Sequence, residues 1–99
     1  MTFDLLIRNG LVIDGSGSEG TRLDIGIQGE RIARIAPDLG NAADQIIDAK
    51  GLTVTPGFID IKTHSDFTLP INPKAESKVR QGVTTEIIGH CGFSVAPCL

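Results

Sequence analysis

Apolar and polar residues alternate in short bursts along the first half of the chain, and each burst ends at a turn signal. Leu23, Ile25 and Ile27 alternate with Asp24, Gly26 and Gln28, the period-two pattern of a strand with one face in a core. That pattern puts Asp24 on the polar face. Phe3–Arg8 alternates more loosely and runs into Asn9-Gly10. Both residues tolerate positive φ, so the pair predicts a tight hairpin with Leu11–Asp14 as the returning strand. Gly15-Ser16-Gly17-Ser18-Glu19-Gly20 reads as a flexible polar loop. Gly29-Glu30 turns the chain into a strand at Ile32–Ile35, and the strands Gln45–Asp48 and Leu52–Thr55 flank a turn at Ala49-Lys50-Gly51. Residues 1–55 therefore predict an all-β module, half of a sandwich, whose short strands barely close a core by themselves.

At Pro56-Gly57 the pattern changes. Phe58–Ile61 is a short apolar strand with Asp60 inside it. Asn72 offers a helix N-cap, Pro73 the favoured first helical position and Gly82 the stop. Within that helix Ala75 and Val79 share a face, and Glu76 and Arg80 make an i,i+4 pair in the better orientation. Val83–Ile88 follows as a strand rich in β-branched residues. Strand, helix, strand predicts a βαβ unit over residues 56–99, with its two strands parallel neighbours in one sheet.

Parallel strands end on the same edge, which gives the chemistry a location. His64 lies just past the first strand and His90-Cys91 just past the second. Imidazole and thiolate are good zinc ligands, and Asp66 can join them or orient a histidine from behind. Each residue also has a plainer reading. His64 can be an ordinary loop histidine, Cys91 a small buried hydrophobe, Lys62 a solvated strand-end lysine, and Glu86 an outward-facing strand residue. Asp60 is harder to dismiss, because a carboxylate within an apolar strand needs a partner.

Composition narrows the function classes. The net charge is −3 and no stretch concentrates basic residues, which argues against nucleic acid or an anionic membrane surface. No apolar run approaches the length of a membrane span. The start, MTFDLLIRNG, lacks a basic end followed by a long apolar core, so a cytoplasmic location is expected. In that setting a disulfide between Cys91 and Cys98 is the weaker reading. With four Phe and no Trp or Tyr, the core must come from Ile, Leu and Val, which suits a sheet.

The stretches "DLLIRNGLVIDGSG", "LTVTPGFIDIKTHSD" and "QGVTTEIIGHCGFSVAP" resemble the amidohydrolase superfamily, and within it the N-acyl-D-amino-acid deacylases, or D-aminoacylases. The resemblance covers essentially the whole chain. It implies an N-terminal β-sandwich segment followed by the first βαβ unit of a metal-dependent (β/α)8 TIM barrel. It also implies metal-assisted hydrolysis of a non-peptide C–N amide bond in an N-acyl amino acid, with zinc as cofactor. On the same resemblance Cys91 is a zinc ligand, His64 is the second histidine of an HxH pair, and Asp66 and Asp60 are supporting carboxylates. Lys62 stands where the first histidine of the pair is expected, and a protonated lysine has no lone pair to offer a metal. A complete barrel needs about 250 residues, so the expectation is an N-terminal fragment that is inactive alone. Two rivals remain: a hydantoinase- or dihydropyrimidinase-type amidohydrolase, against which Cys91 argues, and a non-catalytic β-module.

Overall fold

A computed structural model of the chain describes residues 2–89, which divide between a unit ending at Pro56 and a second beginning at Gly57. The first unit is one five-stranded sheet. Its strands are β1 (Phe3–Val12), β2 (Thr21–Gln28), β3 (Arg31–Ala36), β4 (Ala43–Asp48) and β5 (Thr53–Val54). They run in the order β3-β2-β1-β4, and β5 pairs with the far end of β1. The β1–β2 and β2–β3 pairs are antiparallel, whereas β4 and β5 both lie parallel to β1.

The hairpin expected at Asn9-Gly10 is absent: Phe3–Arg8 and Leu11–Val12 are one continuous strand. Asn9 does adopt positive φ (61°), but it uses it in a β-bulge. Ile7 pairs with Ile25 and Gly10 with Leu23, so Arg8 and Asn9 together face the single residue Asp24. A type I′ turn needs positive φ at both residues, whereas the bulge needs it only at Asn9, and Gly10 stays out of that region.

Asp24 also departs from its expected position. It is only 2% exposed, because Phe3, Leu6 and Ala49 are buried too and both sides of central β2 are covered. The carboxylate accepts the Asn9 N–H released by the bulge (2.9 Å) and the Leu39 N–H of the loop after β3 (3.0 Å). Arg8 Nε stands 3.6 Å away. Burial pushes the Asp24 carboxyl up, but the two backbone N–H groups and the Arg8 guanidinium outweigh it and hold it below the usual range. Elsewhere Ile7, Ile25, Ile27, Ile32, Ile35 and Val54 border an apolar hollow of about 210 Å3, and Ile32 is 62% exposed.

In the second unit β6 (Phe58–Asp60) and β7 (Val83–Glu86) pair in parallel, as the βαβ pattern predicts. Two short helices lie between them, α1 (Ser65–Thr68) and α2 (Glu76–Val79). The helix expected from Pro73 begins only at Glu76. Ala75, at φ 47°, sits in the left-handed region and breaks any helix entering from Pro73, and Asn72 does not cap it. Gly82 does end the segment, at φ +84°, and Glu76 and Arg80 approach to 3.9 Å. Gly57 leads into β6 directly against Thr84 of β7, where a Cβ would overlap the threonine side chain. No helix of the described residues is long and apolar enough to cross a membrane.

Replacing Asp24 by Ala strands two part-buried N–H groups and leaves Arg8 to Asn41 and Asp38, and is expected to cost about 2–4 kcal/mol at pH 7. The folded carboxyl titrates below its unfolded value of about 3.9, so its contribution is present above that pH and is lost as pH falls through the folded value. Urea unfolding at pH 7 and pH 3 checks both points: the gap between parent and variant should be wide at pH 7 and narrow at pH 3. Equal stability at pH 7 would remove Asp24 as the anchor.

Candidate metal centre

Because β6 and β7 are parallel, their carboxyl ends share one edge, and the register sets Asp60 beside Glu86. Two adjacent carboxylates repel unless a cation stands between them. Lys78 of α2 supplies it, with Nζ 2.7 Å from Asp60 Oδ2 and 3.5 Å from Glu86 Oε1. The hydrogen bond to Asp60 raises the Lys78 ammonium above its ordinary value, partial desolvation opposes this, and the charges of Asp60 and Glu86 add to the rise. The partner that Asp60 needed is therefore a lysine from the crossover, which sequence reading did not single out. Glu86 is not outward-facing either; its side chain is 13% exposed.

The segment after β6 hangs on these two carboxylates. Lys62 N–H donates to Asp60 Oδ1 at 3.2 Å. Ser65 Oγ donates to Glu86 Oε1 at 2.9 Å and lies 2.8 Å from Thr63 Oγ1. Ser65 N–H closes back on Thr63 Oγ1 at 3.2 Å. Between these two residues His64 is exposed, occupies the position before α1 with φ −106° and ψ 26°, and accepts the Phe67 N–H on its carbonyl. Asp66, in the first turn of α1, is buried. His64, Ser65, Thr68, Leu69 and Lys78 border a hollow of about 510 Å3.

His64 thus stands just past the end of β6, with Asp60, Lys62 and Asp66 around the same turn. His90, Cys91 and Cys98 lie outside the described residues. Among the described residues no group of three His, Cys, Asp or Glu side chains is assembled to hold a metal. Asp60 and Glu86 are engaged by Lys78. An imidazole is a donor type suited to zinc, but a tetrahedral set needs four donors, and the described residues do not assemble them around His64. Glu86, Lys78, Ser65 and Thr63 were missed. A signal was available in part: each strand carries one carboxylate, Asp60 and Glu86, and the crossover between them holds Lys62, Lys74, Lys78 and Arg80, any of which could have been the partner.

No protein-family model matches the chain. The structure is nevertheless similar to amidohydrolases. A D-aminoacylase structure, described as having a binuclear metal centre with one-metal activation and second-metal attenuation, matches with TM-score 0.89 and 43% identity over 97% of this chain. An L-hydantoinase (dihydropyrimidinase) from Arthrobacter aurescens matches less well, with TM-score 0.58 and 30% identity over 66% of this chain. Within that class the similarity is to the N-acyl-D-amino-acid deacylases. The chain is 47% identical to the D-aminoacylase of Alcaligenes xylosoxydans xylosoxydans over 96% of its own length. An N-acyl-D-glutamate deacylase from Bordetella bronchiseptica, complexed with zinc and a phosphonate mimic of the tetrahedral intermediate, matches with TM-score 0.89 and 41% identity over 98% of this chain. The chain spans about a fifth of the length of these deacylases (20% in each case).

Removing the cation from between the carboxylates should expose their repulsion. Lys78→Met is expected to melt lower than the parent at pH 7, and the gap should close as pH rises from 7 through the raised Lys78 value, where the parent loses the same positive charge. Thermal melts of both proteins across that pH range make the comparison. A deficit independent of pH would mean that Lys78 acts by packing alone.

Proposed function

We propose that the chain is the opening segment of a zinc-dependent hydrolase that releases D-amino acids from their N-acyl derivatives. The observation that carries this reading is similarity over nearly the whole chain to deacylases of that specificity, with both motif-bearing strand ends included. Residues 1–55 are then part of a β-sandwich. Residues 56–99 are the first strand, helix and second strand of a (β/α)8 barrel, whose catalytic groups gather at the carboxyl ends of its strands. The parallel β6–β7 pair, with His64 beyond the end of β6, suits that arrangement. The weaker likeness to the hydantoinase supports the shared class more than a cyclic-amide substrate.

In this reading Cys91 and His64 are the segment's donors to the metal centre, and Asp66 and Asp60 support the turn that carries His64. The chemistry that zinc supplies when bound is polarisation of the scissile carbonyl and acidification of water. His64 contributes by presenting an exposed imidazole at the mouth of the hollow beside α1. Lys62 sets the limit. Its side chain is exposed two residues before His64, and both strand-end carboxylates are bound to Lys78. An ammonium has no lone pair to give, so Lys62 leaves the second metal position vacant and the centre holds one metal ion, at Cys91, with His64 the imidazole that this segment adds.

Expression of the complete reading frame that contains these residues tests the proposal. N-acyl-D-amino acids should be hydrolysed in preference to their L-enantiomers and to hydantoins, and the purified protein should carry one zinc per chain. Lys62→His should raise the metal content towards two. Hydrolysis of hydantoins alone would transfer the chain to the rival class, and an unchanged stoichiometry in Lys62→His would clear Lys62 of the limiting role.

A further inference from the structure

His64 is exposed, yet the residues on either side of it are among the most buried polar residues described: Thr63 is 7% and Ser65 5% exposed. Serine and threonine are mostly surface residues. Burying two of them around one exposed histidine requires that their hydroxyls be satisfied inside the protein. The hydrogen bonds show how. An ionised carboxylate only accepts, so the Ser65 hydroxyl donates to Glu86. With the Ser65 proton committed, the Thr63 hydroxyl must be the donor in the 2.8 Å contact between the two. The Thr63 oxygen in turn accepts the Ser65 N–H. The relay therefore runs one way, from Thr63 through Ser65 to Glu86, and closes a ring of bonds around the His64 backbone.

We propose that Glu86, on the neighbouring strand, is the positioning residue for His64 and acts through the Ser65 and Thr63 hydroxyls. The inference rests on the reading of His64 as a metal ligand and adds what fixes its direction. His64 stands just before a helix of only four residues, too short to fix the turn by itself. Anchoring both flanks to β7 fixes the His64 backbone dihedrals, and with them the direction in which the imidazole leaves the chain. Lys78 has a role of its own here: its ammonium, 2.7 Å from Asp60 Oδ2 and 3.5 Å from Glu86 Oε1, offsets the like charges of the two carboxylates. Glu86 thus orients a ligand from the adjacent strand, two steps removed from any metal.

The test uses the complete polypeptide and reads zinc affinity by competition with a chromophoric chelator, with the absorption spectrum of the cobalt-substituted protein as a second readout. Ser65→Ala and Glu86→Ala are expected to weaken zinc binding about 10- to 100-fold and to alter the cobalt bands. Glu86→Gln keeps an oxygen in place for the Ser65 hydroxyl and should recover most of the affinity, which loss of folding stability alone would not predict. His64→Ala is the reference. If it weakens binding while Ser65→Ala and Glu86→Ala bind zinc as the parent does, the positioning role is overturned and the ligand reading stands. If His64→Ala itself leaves affinity and spectrum unchanged, both fall. Should Glu86→Ala fail to fold, Ser65→Ala, which removes a single hydroxyl, decides the matter.

Discussion

One ammonium between two carboxylates organises the functional end of this chain. Parallel pairing of β6 with β7 puts Asp60 and Glu86 in register, and their like charges would oppose the pairing that brings them together. Lys78 resolves the conflict from the crossover, at 2.7 Å and 3.5 Å. The same two carboxylates then have oxygens left for the turn at residues 62–65, one accepting the Lys62 N–H and the other the Ser65 hydroxyl. The β6–β7 register, the placement of α2 and the turn at residues 62–65 thus meet at one charge arrangement.

The first unit solves a related problem with a different residue. A bulge in β1 frees the Asn9 N–H inside a sheet, and the loop after β3 brings the Leu39 N–H to the same place. Asp24 accepts both, and Arg8 offsets its charge. In each unit a buried or half-buried carboxylate ties together segments far apart in sequence. Each is stable because its lone pairs are used, and each would be costly if they were not.

The candidate centre combines residues of two kinds. His64 and the carboxylates around it are the donors that the proposed deacylase reading assigns to this segment, and the chain is similar to such deacylases over nearly all its length. Lys62 does not fit a two-metal centre, since it brings a charge of the wrong sign and no lone pair. Of the site residues named from sequence, His64, Asp60 and Asp66 gather around one turn, and Cys91 lies outside the described residues. Glu86, set aside as an outward-facing strand residue, accepts the Ser65 hydroxyl and with Asp60 ties the turn to the strand ends.

Sequence alone determined what is local or carried by a motif. The period-two strands, the change of pattern at Pro56-Gly57, the stop at Gly82, the parallel βαβ unit and the likeness to D-aminoacylases were all legible in it. Those features follow from neighbours a few residues apart or from short runs matched as units. Tertiary structure decided the rest: that Asn9-Gly10 makes a bulge and no hairpin, that Asp24 is buried, that Ala75 delays the second helix, and that Lys78 and Glu86 hold the His64 turn. In each case the local signal was compatible with two outcomes. Ala75 apart, the choice fell to a partner supplied from elsewhere in the chain, β5 continuing alongside β1, the Leu39 loop closing over Asp24, or β7 setting Glu86 beside Asp60. Such partners leave no mark at the position they control, because the free energy they contribute exists only once the strands have paired.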